Sequence, residues 1–148
     1  MVNPDFLKKA VVLSEEIIKT YPNSASSLEA NALIKSIKNP RLTAKASEIL
    51  NPQQAGRVFL SYKSLDTINL KIYKVPFSFG QNLTYSGKDS LVTNLVNTPP
   101  LFKKTIKLPK SEDFNWHSTE LLIPALEAGF YFVHISNGGI GKSGYSYS

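Results

Sequence analysis

The sequence predicts an α+β chain: an α-helical hairpin over residues 1–40, then an antiparallel, seven-stranded β-sandwich over residues 41–148. Three observations predict it. Apolar residues recur at helical spacing as far as Asn39-Pro40 and at every second position from Leu42 onward, so the period changes from 3.6 to 2 at one point in the chain. Two Pro-containing breaks, Tyr21-Pro22-Asn23 and Asn39-Pro40, bound the helical part. The stretch His117 to Asn137, HSTELLIPALEAGFYFVHISN, specifies two strands and the corner between them. Thr119, Leu121 and Ile123 alternate with Ser118, Glu120 and Leu122, Pro124 ends the ladder because it has no N–H to give, and Leu126, Gly129 and Tyr131 follow at the spacing of a tyrosine corner.

Each element has its own justification. Asn3 and Pro4 read as the cap and first residue of a helix that carries Phe6, Leu7, Ala10, Val11, Ser14, Ile17, Ile18 and Tyr21 on one stripe. Ser26 with Glu29 reads as a capping box for a second helix carrying Ala30, Leu33, Ile34 and Ile37. The two stripes cannot cover each other completely. Among the strands, Leu42, Ala44 and Ala46 lie on one face of the first, and Val58, Leu60 and Tyr62 on one face of the second. Ile68, Leu70 and Ile72 line the third, with Asn69, Lys71 and Tyr73 outward. Phe102, Ile106 and Leu108 give a fourth strand, in which Lys104 falls on the apolar face and argues for an edge. The anchor stretch supplies two more, and Gly144 to Ser148 a seventh. Between Pro76 and Pro100, Leu91, Val92, Leu95 and Val96 read as a short helix folding back over the sandwich edge.

One conflict stands out in the strand after the corner. If Tyr131, Val133 and Ile135 point inward, then Phe130, Phe132 and His134 point outward, and two phenylalanines fit poorly against water. Phe130 and Phe132 are therefore a candidate domain interface, expected to pack against the helices through Ile17, Leu33 or Ile37, with a neighbouring domain as the other cover.

Composition removes several functional classes. At 148 residues and 42% hydrophobic content the chain can bury one core, and its net charge of +6 mildly favours acidic partners. With no cysteine, disulfides, thiolate metal sites and thiol nucleophiles are excluded, while the compartment stays open. No run of 18 apolar residues exists and the start, MVNPDFLKK, has no signal-peptide core, so membrane insertion of this segment is not expected. Gly138 to Ser143, GGIGKS, looks like a phosphate loop, but Ser136 stands where the first glycine belongs, and an inter-strand loop is the expectation. His117 and His134 are the only histidines, and with no cysteine a metal site would have to recruit carboxylates, which show no ligand spacing; Asn82-Leu83-Thr84 is a formal glycosylation acceptor of low specificity. Lysines 103, 104, 107 and 110 beside Phe102 and Phe114 could mimic a nucleic-acid face, yet read as solvated edge protection, so no nucleic-acid partner is expected. The pairs Glu112-Asp113 and Glu15-Glu16 read as solvated. No catalytic constellation, cofactor or metal is expected, and the residues themselves lead to a non-enzymatic module.

The runs TYPNSASSLEANALIKSI, LSYKSLDTINLKIYKV and KLPKSEDFNWHSTELLIPALEAGFYFVHIS resemble the N-terminal part of the large bacterial alpha-2-macroglobulin family, particularly its Bacteroidetes-type members. The most specific piece is Asp113-Phe114, His117-Ser118-Thr119-Glu120, Ile123-Pro124, Leu126, Gly129 and Tyr131. The resemblance implies a macroglobulin domain, an immunoglobulin/fibronectin type III-like sandwich, preceded by tetratricopeptide-like helices. It further implies a non-catalytic scaffold segment of a protease-trapping inhibitor of the cell envelope, either periplasmic or associated with the outer membrane. Its partners would be neighbouring domains of the same longer chain, and proteases through the full-length protein. The thioester cysteine of many family members has no counterpart here, and no stretch reads as bait. A generic cell-surface adhesion or carbohydrate-binding sandwich is the alternative, recognisable by a solvent-facing aromatic platform.

Overall fold

The computed structural model describes residues 5–46, 51–79, 88–109, 111–137 and 144–147. Among these, helices α1 (Phe6–Thr20) and α2 (Ala25–Lys38) precede strands β1 (Arg41–Ala46), β2 (Gly56–Lys63) and β3 (Thr67–Val75). Helix α3 (Lys88–Val96) follows, then β4 (Phe102–Lys107), β5 (His117–Ile123), β6 (Phe130–Asn137) and β7 (Gly144–Tyr147). Two compact units result. One comprises Met1–Arg41, Tyr62–Asp66 and Pro109–His117, and the other comprises Leu42–Ser61, Thr67–Leu108 and Ser118–Ser148.

In the hairpin unit, the turn between helices is fixed by local chemistry. The Tyr21 amide still donates to the Ile17 carbonyl at 2.9 Å, and Asn23 then takes a positive φ of 63°, a conformation Asn tolerates better than most residues. That reversal leaves Ser24 extended, and its Oγ accepts from the Ser27 amide at 3.1 Å while donating to the Tyr21 carbonyl at 2.8 Å. The cap of α2 is therefore Ser24 rather than Ser26, which already lies inside the helix. At the other end Asn39 is extended (φ −61°, ψ 119°), as a residue before proline prefers, and α2 stops. Asp5 caps α1 through backbone alone; the expected Asn3-Pro4 start lies outside the described residues. Val11, Ser14, Ser27, Ala30 and Ile37 are buried, and Lys38 Nζ meets Glu15 Oε1 at 3.2 Å across the hairpin.

The second unit carries two antiparallel sheets, one of three strands in the order β1-β2-β5 and one of four in the order β4-β3-β6-β7. Alternation places Val58 and Leu60, Ile68, Leu70 and Ile72, Leu121 and Ile123, and Val133 and Ile135 in buried rows. β4 is an edge strand, with Lys104 opposite Leu70. Two expectations need correction. Tyr73, expected outward, is only 2% exposed, because α3 lies over part of the second face of the four-stranded sheet instead of over a sheet edge. Tyr73, Val92 and Phe132 form a small core of their own there, flanked by Val75, Phe79, Leu95 and Val96, and the Tyr73 hydroxyl reaches the Val96 carbonyl at 3.4 Å.

Candidate functional site

β6 is buried on both faces along its middle: Val133 and Ile135 on one side, Phe132 and His134 on the other. Phe132, at 1% exposure, is covered within its own unit by Val92 of α3 and meets the Phe79 ring edge-on at 5.6 Å. Its sequence-predicted companion Phe130 is 51% exposed and touches Phe77 at 5.1 Å, with the rings tilted by 54°. Of the three hairpin residues in the predicted interface, Ile37 is buried within the hairpin unit, whereas Ile17 and Leu33 remain partly exposed. Phe132 thus belongs to the small core under α3, a cover that the two-face pattern of β6 signals but does not identify.

The corner between β5 and β6 is built as its spacing predicts. Tyr131 donates its hydroxyl to the Glu127 carbonyl at 3.0 Å, tying the incoming connection to the start of β6. Gly129 leaves room for that ring: a Cβ there would lie 3.5 Å from Tyr131 Cε2 and 3.3 Å from the Lys74 side chain. Lys74 Nζ is 4.0 Å from the Glu127 carboxylate, a surface pair that adds little.

Several polar groups converge in the loop leading into β5. Asp113 Oδ1 accepts from the Ser111 hydroxyl, from the Asn115 amide at 3.0 Å in an Asx-type turn, and faces His117 Nε2 at 2.9 Å. These contacts, His117 first and Ser111 next, hold the Asp113 carboxyl well below the usual carboxylate range. Asp113 is therefore a structural acceptor and not simply a solvated charge, correcting the reading of the Glu112-Asp113 pair. The Ser111-x-Asp113-x-Asn115 spacing followed by His117 was the signal available. Phe114 adopts a positive φ of 57°, unusual for an aromatic residue, and lines an open groove of about 490 Å³ with Lys8, Val11, Ser64 and Glu112.

Serine, aspartate and histidine meet here in the wrong order for nucleophilic catalysis. The carboxylate stands between Ser111 and His117, so the imidazole has no hydrogen bond through which to take the hydroxyl proton. His117 instead lies against Tyr62, with ring centroids 5.9 Å apart. His134 is 7% exposed, stacks on Phe132 at 6.5 Å and sits opposite Lys71; burial chiefly, and the Lys71 charge next, push its pKa down. Among the described residues no three His, Cys, Asp or Glu side chains gather to hold a metal, and no helix is long and apolar enough to cross a membrane. Lys103, Lys104 and Lys107 are exposed on β4. Lys110, the GGIGKS run and Asn82 lie outside the described residues. Neither a scan against protein-family models nor a search of curated proteins finds a match to this sequence.

Proposed function

We propose that this chain is a non-catalytic scaffold segment of a large cell-envelope alpha-2-macroglobulin-like protease inhibitor, with its two sheets stacked as a fibronectin type III-like macroglobulin sandwich. The observation that carries the reading is the structural role of the run from Asp113 to Tyr131, where the resemblance to that family is most specific. Asp113 and His117 pair, β5 follows, Pro124 stands just beyond its end, and Tyr131 ties the corner to Glu127. Several distinctive residues of the run make contacts that hold the frame: Asp113 and His117 in the loop, Ser118 with Ser61, Glu120 with Arg57, and Tyr131 at the corner. The division of seven strands into two sheets, β1-β2-β5 and β4-β3-β6-β7, supports the sandwich, because such folds pack two antiparallel sheets face to face.

On this reading the segment needs no cofactor and acts by holding neighbouring domains of a longer, periplasmic or outer-membrane-associated chain while the cage closes on a protease. The carbohydrate-binding alternative calls for a flat aromatic platform, and where the exposed Phe77 and Phe130 rings meet they are tilted by 54° rather than coplanar. The experiment is to expose the complete protein to a limiting amount of protease and follow its mobility on native gels. A cleaved chain that stays assembled and migrates faster supports the scaffold role. A chain that falls into separately migrating pieces, or whose mobility is unchanged after cleavage, contradicts it.

A further inference from the structure

The net charge of +6 is unevenly distributed. Residues of the sheet-bearing unit include nine Lys or Arg and four Asp or Glu, a net of +5, whereas the hairpin unit has eight and seven, a net of +1. Two of those four acids are engaged, Glu120 with Arg57 at 3.1 Å and Glu127 with Lys74 at 4.0 Å. The four-stranded sheet concentrates the excess: its strands carry Lys71, Lys74, Lys103, Lys104 and Lys107 and not one carboxylate. The register sets Lys103 directly opposite Lys71, a like-charge neighbour pair that weakens a sheet rather than supporting it. On that same face α3 covers the end occupied by Tyr73 and Phe132, and the half bearing Lys71, Lys103 and Lys107 is polar.

β4 is hydrogen-bonded to β3 alone, so among the described residues its other side is an open row of backbone donors and acceptors. Lysines along such an edge repel a second copy of the same edge, which carries the same charge. They attract an acidic one. We propose that the open edge of β4 is a docking site for an extended acidic peptide segment of a partner protein, which adds to the sheet as a further strand. Side chains alternate along a strand, so carboxylates at every second position of the peptide reach Lys103 and Lys107 on one face. A nucleic acid fits this edge less well, because the rings on that face of the sheet, Tyr73 and Phe132, are buried and offer no stacking surface.

The test uses the whole chain and a fluorescein-labelled ten-residue peptide of alternating Glu and Val, followed by fluorescence anisotropy. The expected result is saturable binding that weakens with added salt and weakens by about tenfold in the K103Q/K107Q variant. It is lost when alternate peptide amides are N-methylated, with circular dichroism showing that the variant remains folded. Three results overturn the proposal: no binding of the Glu peptide, equal binding of its N-methylated form, or tighter binding of heparin or a single-stranded oligonucleotide. The last two would make the lysines a general polyanion surface. The proposal rests on charge and edge geometry, so its outcome is separate from that of the protease-trap reading.

Discussion

Asp113 and Tyr131 show two kinds of residue-scale information. Tyr131 was legible, because a corner tyrosine and the small residue two positions before it form a local pattern, and the hydroxyl reaches a carbonyl only four residues back. Replacing Tyr131 with Phe removes that one hydrogen bond and leaves the ring, so a loss of about 1 kcal/mol is expected in urea denaturation. Asp113 was harder to read. Two adjacent acids on a polar segment look solvated, and only the fold shows that Ser111, Asn115 and His117 all turn toward one of them. Because its folded pKa lies below the unfolded value, the stability it contributes is fully present above about pH 4 and is lost as the pH falls further. Asp113→Asn should therefore be less stable than the parent at pH 7, with the gap narrowing between pH 4 and pH 2. Parallel stability curves over that range would show that the carboxylate contributes nothing specific.

At the scale of elements, the helical and strand periods identified the main segments, and the errors arose where several residues could do the same job. Ser24, Ser26 and Ser27 are all capping residues by type; the positive φ of Asn23 decides among them by leaving Ser24 extended. Thermal melts should distinguish the two readings of the cap, with Ser24→Ala costing about 1 kcal/mol and Ser26→Ala only a few tenths. Helix α3 was legible from Leu91, Val92, Leu95 and Val96, but not its seat. The sequence carries a matching signal in β6, where Phe132 lies opposite Tyr73 on the face expected to be outward. Both rings need a cover, and a helix from the long β3–β4 connection is the cover within the same unit. Val92→Ala, at a position 4% exposed, should cost about 2 kcal/mol and raise hydrophobic-dye binding. An unchanged denaturation midpoint would mean that α3 does not hold this face.

For the whole molecule, the change of period near Pro40 marked where helices give way to strands, but two later segments, Tyr62–Asp66 and Pro109–His117, group with the hairpin. Such a grouping joins residues far apart in sequence, which periodicity cannot register. Charge behaves similarly: scattered lysines look unremarkable in order along the chain and become a carboxylate-free sheet only once β3, β4, β6 and β7 are set side by side. Function is the least legible level, because hydrogen bonds that fix a loop and a corner, such as those of Asp113 and Tyr131, do not name a partner. The proposal that this frame serves a protease trap is tested by comparing two substrates. A protease preincubated with the complete protein should lose most of its activity on a large protein substrate while keeping its activity on a small peptide substrate, which still diffuses into the cage. Equal activity on both substrates, with and without the complete protein, would contradict the claim.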